Sequence, residues 1–336
     1  MENQDRPNLF QYATSELSQD AFICWLAAWA DPIFKAADAD LHEIGQQFVI
    51  SMICKQKADY HQSTLKTVKV RRQVGKLDVL IEVNKELPNQ LAILVEDKTH
   101  TSNHSDQLNR YYGQVKELGY TENQMIPLYF KTGYQSRFDT LGVFKPYLRK
   151  DFLSVLRENK RKTDNAVFHD FLDHLESLES AIQQFSAKAL DQWYGNDWPG
   201  FYMVLYDEIG SDGANWSYVA NPSGGFFGFW WYFKEVPGKQ YMPYLQLEQD
   251  KLCFKIMVEG ESSRRNARED AYESVQRTAS QLSVNIERPE RMGNGKFMTV
   301  ARRKEDYRVM TNGKLDLAAT LENLKKAQQL LDTAFP

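Results

Sequence analysis

Cysteine is scarce in this chain: Cys24, Cys54 and Cys253 are the three among 336 residues. They form no CxxC pair and no metal-ligand spacing, which excludes a disulfide framework and a structural zinc site. A reducing, cytoplasmic setting is the expectation. No uninterrupted apolar run approaches the roughly 18 residues of a membrane span. Residues 1–7 (MENQDRP) lack the basic-then-apolar pattern of a secretory leader, so neither a membrane role nor export is expected. An excess of one charge is missing too, since 41 Lys and Arg face 45 Asp and Glu for a net −4. That balance excludes a polybasic tail. It leaves a nucleic-acid partner open, because such a partner needs positive charge clustered on one face rather than a positive total. The chain also lacks internal repeats and a GxxxxGK[ST] phosphate loop, which argues against a nucleotide hydrolase of that type.

What is present is an apolar fraction of 42%, enough for a sizeable core. The length exceeds the roughly 250 to 300 residues at which one core stops growing, so two domains are expected. The aromatic, Gly- and Pro-containing stretch 193–200 (WYGNDWPG) sets the expected division at 1–190 and 191–336. In the first part, residues 17–29 place Leu17, Ala21, Cys24, Trp25 and Ala28 on one helical stripe, with Ser15 or Ser18 as N-cap. A second helix is expected over 41–57 through Ile44, Phe48, Met52 and Ile53. The period then changes. Segments 66–74, 77–83 and 91–95 read as three strands of an antiparallel meander, with Gly75-Lys76 as a tight hairpin turn. A helix over 105–118, a buried strand over 126–130 and helical patterning over 145–190 follow. The second part reads as a smaller α+β domain. Its strands are expected near 216–220, 225–233, 244–248, 252–258, 284–288 and 296–303, with helices over 263–282 and 315–333.

Asp78 opens the second expected strand, and Glu96 and Lys98 lie two apart at the end of the third. On a period of two, Glu96 and Lys98 share a face while Asp97 takes the other. Two carboxylates and one ammonium can thus converge. Carboxylates suit a hard divalent cation that keeps several waters, and a nearby ammonium can stabilise charge building on a phosphate. The competing reading is a surface hairpin with solvated charges. The flanking apolar runs argue against it, since carboxylates near a core are normally paired or metal-bound.

The order helix, three strands, helix, strand, with GKLDVLIEV followed by LVEDKTHT, resembles the PD-(D/E)XK nuclease superfamily over roughly residues 10 to 190. The segments ATSELSQDAFICWLAAW and LHEIGQQF are similar to a RecB-like bacterial branch of uncharacterised members, some tied to defence against foreign DNA. The resemblance implies an α/β (α+β) restriction-endonuclease-like αβββαβ core with flanking helices. It also implies a Mg²⁺- or Mn²⁺-dependent nuclease with DNA as the expected substrate. By the same resemblance Asp78 and Glu96 are metal ligands, the Asp97 main-chain carbonyl is a further ligand and Lys98 is the catalytic lysine. Gln107 corresponds to the helix glutamine, with Tyr111 one turn along, and Glu43 matches an additional acidic position. Leu77 stands where many members have proline before the aspartate.

Glu43 and Glu16, as helix-start acids, also suit a plain dipole role. His100 and His104 follow Lys98 in a polar loop and lack the partners a zinc site requires. Positive charge clusters at Lys55, Lys57, Lys66, Lys69, Arg71, Arg72 and Lys76, where nucleic-acid phosphate could sit. Lys145, Arg149, Lys150, Arg157, Lys160, Arg161 and Lys162 form a second cluster. In the second part the run GGFFGFWWYF (224–233) is either a base-stacking platform or packing and protein interface, and Arg302, Arg303, Lys304 and Arg308 could add phosphate contacts. The alternative to an enzyme is a non-catalytic nucleic-acid-binding or interaction module on the same fold, with a protein partner at the second domain.

Overall fold

The structure is a computed structural model that describes residues 6–61, 64–99, 106–221, 224–260, 263–290 and 292–336. Two compact units divide the chain at Glu179 and Ser180. The first contains α1 (Glu16–Ala28), α2 (Ala39–Cys54), β1 (Val68–Val74), β2 (Leu77–Val83), β3 (Leu91–Lys98), α3 (Gln107–Glu117), β4 (Met125–Lys131), β5 (Lys145–Leu148) and α4 (Arg149–Asn159). Helix α5 (Ala166–Gln183) runs across the division. Its continuation is the reason the division precedes the aromatic 193–200 stretch. Phe185, Trp193, Trp198 and Phe201 pack on one another inside the second unit, so that stretch is core and not linker.

The sheet of the first unit has the order β1-β2-β3-β4-β5. Strands β1 to β3 form the antiparallel meander, closed between β1 and β2 by Gly75 (φ 58°) and Lys76 (φ 79°). Two consecutive positive φ values give the two-residue turn whose twist matches paired strands. Strand β4 returns parallel to β3 after α3, and β5 lies parallel to β4. The sequence pattern assigned 145–148 to a helix. It pairs as an edge strand because α4 starts only at Arg149, where Asp151 Oδ2 accepts from the Leu148 N–H at 2.8 Å.

Strand alternation sorts the residues of this sheet onto two layers. Val79, Ile81, Val83, Ile93 and Val95 face a core built with residues of α1, α2, α4 and α5. Leu80, Ala92, Leu94 and Tyr129 face the other way, onto Leu108, Tyr111 and Val115 of α3. Gly45 on α2 lets that helix close on the end of α1, where an added Cβ would meet Leu26 O and Ala30 N at 2.7 Å. The buried stripe of α1 differs from the expected one. Gln19, Asp20, Phe22, Ile23, Leu26 and Ala27 are buried, whereas Leu17 is 53% exposed and Ala21 faces solvent. The aromatic pair Phe22 and Phe171, with ring centroids 3.8 Å apart, fixes that rotation by drawing Phe22 inward.

The second unit adds α6 (Asp197–Ile209), β6 (Asn215–Val219), β7 (Phe226–Trp231), β8 (Met242–Glu248), β9 (Lys251–Met257), α7 (Arg264–Gln281), β10 (Ile286–Glu287), β11 (Phe297–Arg303), β12 (Val309–Thr311), β13 (Lys314–Asp316) and α8 (Leu317–Ala334). Its six-stranded antiparallel sheet runs β10-β11-β9-β8-β7-β6, with β12 and β13 as a separate hairpin. Phe229 and Trp231 of the aromatic strand are fully buried, and Phe229 lies 5.8 Å from the ring of Tyr202 on α6. Packing is thus what these two rings do.

Candidate active site

All eight residues of β3 are buried, including the charged end Glu96, Asp97 and Lys98. An apolar strand that ends in three buried charges must provide partners for them. Glu96 and Lys98 point to the α3 side and Asp97 to the α1 side, as the twofold strand period requires. Lys98 Nζ lies 2.7 Å from Glu96 Oε1, 3.8 Å from Asp78 Oδ2 and 3.9 Å from Glu16 Oε2. It also donates to the Asp97 main-chain carbonyl at 2.8 Å. The Asp97 N–H donates to Asp78 Oδ2 at 2.8 Å, locking the start of β2 to the end of β3. From α3, Gln107 Nε2 donates to Glu96 Oε1 at 2.6 Å and to the Tyr111 hydroxyl at 2.9 Å.

The structure thus brings together Asp78, Glu96, Lys98, Gln107, Tyr111 and the Asp97 carbonyl. Glu43 is not among them. It sits on α2, hydrogen-bonded to Lys162 and Gln47, and the Lys162 hydrogen bond holds its carboxyl below the usual range. The acid that joins the cluster from a helix is Glu16, one helix earlier, whose Oε1 accepts from the Thr99 N–H at 3.0 Å. His100 and His104 lie outside the described residues.

Burial sets the electrostatics. Glu96 is pushed up to about 7 by desolvation and by the charge of Asp78, against the opposing pull of Lys98. Burial alone would lower the Lys98 ammonium, but its hydrogen bond to Glu96 and the charges of Glu96, Asp78 and Glu16 outweigh it and raise the group. On the α1 side Asp20 also rises to about 7 through burial and Asp78, while Arg72 opposes. The wholly buried Asp97 rises through desolvation and the charge of Asp20. Lys131, at the end of β4 and opposite Lys98 in register, is 2% exposed and pushed down to about 8 by burial. Gln19, Asp20 and Lys131 were not anticipated from the sequence. The one available signal was a polar pair, Gln19-Asp20, beside the apolar positions of α1.

The donor set fits a hard divalent cation. Glu96 Oε2 is buried without a hydrogen-bond partner, Asp78 supplies a second carboxylate and Asp97 a carbonyl. One or two carboxylates plus waters is the manner in which Mg²⁺ is usually held. Among the described residues no three His, Cys, Asp or Glu side chains form a ready-made cage.

The basic residues divide between faces. Arg71 on β1 lies 3.8 Å from Glu82 Oε1, and strand alternation puts Lys69 on the same face. Arg72 turns toward Asp20 and Cys24 of α1, and Lys76 occupies the exposed hairpin turn. The second cluster is largely neutralised in place. Arg149 pairs with Glu179, Arg157 and Lys160 with Glu176, and Lys162 with Glu43. In the second unit Arg302 pairs with Glu248, Arg303 with Glu305 and Arg308 with Asp306. No helix among the described residues is long and apolar enough to cross a membrane.

The model of a PD-(D/E)XK nuclease superfamily family matches residues 33–196. No curated protein and no solved structure matches the chain. The matched span begins after α1, so Glu16, Gln19 and Asp20 lie outside it and rest on geometry alone. Proteins of this superfamily are typically nucleases and generally use divalent metal ions. Sheet order, parallel return through α3 and family match agree over residues 33–196, where the chain matches the PD-(D/E)XK nuclease superfamily.

Proposed function

We propose that the first unit hydrolyses phosphodiester bonds in nucleic acid, DNA being the expected substrate, with Mg²⁺ or Mn²⁺. The observation that carries this reading is the convergence of Lys98 with Glu96, Asp78 and the Asp97 carbonyl at the end of one buried strand. Asp78, Glu96 and the Asp97 carbonyl hold the ion. When bound, the ion supplies Lewis-acid charge at the reacting phosphate. Gln107 donates to Glu96 Oε1 and so fixes the carboxylate with Oε2 left to accept. The Lys98 ammonium orients the attacking water and stabilises negative charge on the phosphate. The water oxygen bonds to phosphorus and its proton passes to solvent, while the bond from phosphorus to the leaving sugar oxygen breaks and that oxygen takes a proton from solvent. Lys69, Arg71 and Lys76 are the candidate contacts to the nucleic-acid chain, whereas Arg72 turns toward Asp20 and Tyr111 is buried against Gln107. The second unit selects substrate or a protein partner.

The test is cleavage of labelled single- and double-stranded DNA and RNA by wild-type protein, Asp78→Ala and Lys98→Ala, with Mg²⁺, Mn²⁺ or EDTA. Cleavage that needs metal and disappears in both variants is the expected result. Cleavage retained in both variants would sink the assignment. Absence of cleavage with retained nucleic-acid binding would favour the non-catalytic module.

A further inference from the structure

Gln19 on α1 is not bonded to the Asp78 or Glu96 carboxylate, yet it is tied to Asp97, whose backbone joins them. It is 4% exposed, and both ends of its side-chain amide are used. The Nε2 group donates to Asp97 Oδ1, and Oε1 accepts from the Thr132 hydroxyl at 2.6 Å. Those two bonds fix the amide's orientation, since a carboxylate only accepts and the hydroxyl is left to donate. Asp97 is the residue whose N–H holds Asp78 and whose carbonyl faces Lys98. One helical turn before Gln19, Glu16 accepts from the N–H of Thr99. Helix α1 therefore grips β3 on both sides of Lys98, at residues 97 and 99, while Thr132 anchors the same amide beyond the end of β4.

A buried amide with unmet hydrogen bonds is destabilising, so Gln19 is stable in this orientation only while Asp97 and Thr132 keep theirs. A strut satisfied at both ends transmits position. Displacement of Asp97 as a residue would break its N–H bond to Asp78, move its carbonyl away from Lys98 and pull Asp97 Oδ1 off Gln19 together. We propose that Gln19, braced by Thr132, is a positioning residue that sets the Asp97 peptide and thereby the geometry of the divalent-ion site. The inference rests on the nuclease reading of that site only for its effect on turnover. Its effect on ion binding is independent of turnover.

The experiment compares wild type, Gln19→Leu and Thr132→Val. Thr132→Val keeps the shape of the side chain and removes the hydroxyl, so it decides the matter where Gln19→Leu fails to fold. Thr132→Ser restores the hydroxyl and serves as the conservative rescue. Mn²⁺ affinity is read by titration calorimetry without nucleic acid, and single-turnover DNA cleavage is read alongside it. Residues that orient metal ligands typically cost 10- to 100-fold in affinity or activity when removed. We expect Mn²⁺ binding at least about tenfold weaker in Gln19→Leu and Thr132→Val, with Thr132→Ser close to wild type and KM for DNA within about twofold. Folded variants that bind Mn²⁺ as wild type does would overturn the proposal. Wild type that binds Mn²⁺ but cuts nothing would defeat the nuclease reading alone, leaving the positioning role to the calorimetric comparison. Wild type that binds no Mn²⁺ would defeat both.

Discussion

Both units bury carboxylates, but they treat them differently. In the second unit Asp197 is 1% exposed and fully employed, taking Lys188 at 2.9 Å on each oxygen and the Tyr194 N–H at 2.8 Å. In the first unit Asp20, Glu96 and Asp97 are each at most 1% exposed, and each keeps one oxygen with no donor. Among the described residues, the buried side-chain atoms of the second unit without a partner are all nitrogens. Folding selects against buried charge that lacks a partner, because the desolvation cost is then not offset. A satisfied buried carboxylate is a structural pin. Of the three, Glu96 faces α3 beside Asp78 and the Asp97 carbonyl, whereas Asp97 and Asp20 turn their side chains to the α1 side.

The largest expected effect separates the two kinds of carboxylate by function. Asp78→Ala or Lys98→Ala should lower cleavage per folded molecule by at least about 100-fold. Asp197→Ala should leave turnover per folded molecule unchanged and cost about 1 to 3 kcal/mol, because the Tyr194 N–H and Lys188 lose their acceptor. Denaturant titration beside single-turnover kinetics reads both. Equal losses of activity from the two would erase the distinction.

A second contrast lies in replacing the charge alone. Asp97→Asn keeps an oxygen for Gln19 and adds a donor for Asp20, so in EDTA at pH 8 it should raise the melting temperature by several degrees. Asp197→Asn should lower it, since the amide weakens the pair with Lys188.

The pH response should differ with metal. Glu96 and Asp20 have folded pKa values raised to about 7 from ordinary values of 4.5 and 3.8. An acid raised on folding binds its proton more tightly in the native state, so stability falls as pH rises from the unfolded value through the folded one. In EDTA the stability of the first unit should therefore decline between about pH 4.5 and pH 7, by on the order of 3 kcal/mol for Glu96. Saturating Mn²⁺ replaces the proton and should flatten the profile. A flat profile in EDTA would contradict the account of Glu96.

The smallest effect concerns the basic hairpin. Arg71→Ala and Lys76→Ala should each weaken DNA binding about two- to threefold at moderate salt and reduce the salt slope by about one. Arg72→Ala, which faces Asp20, should instead alter Mn²⁺ affinity more than the salt slope. The reverse pattern would assign the phosphate track to the α1 side.

Much of this was legible in the sequence, and the gaps have identifiable causes. The meander and its Gly75-Lys76 turn follow from alternation and from a two-residue turn needing positive φ. The shared face of Glu96 and Lys98 follows from strand period alone. The phase of α1 did not follow, because Leu17, Ala21 and Trp25 form as good a stripe as Phe22, Leu26 and Ala27, and long-range packing of Phe22 on Phe171 decides between them. That choice concealed Gln19 and Asp20. Glu43 came from the family resemblance, which places an additional acid on the helix before β1, yet α1 and not α2 meets the end of β3, so Glu16 stands at the cluster. The strand at Lys145–Leu148 was hidden by its four-residue length and by the helix that starts directly after it.

The central claim is that Glu96 and Asp78, with the Asp97 carbonyl, form a divalent-ion site, and calorimetric titration of Mn²⁺ into wild type and Asp78→Ala tests it most directly. The account predicts saturable binding to wild type, accompanied by proton release near pH 7 as Glu96 loses its proton, and at least about tenfold weaker binding to Asp78→Ala. Wild-type affinity in Asp78→Ala, or no binding to either protein, would contradict it.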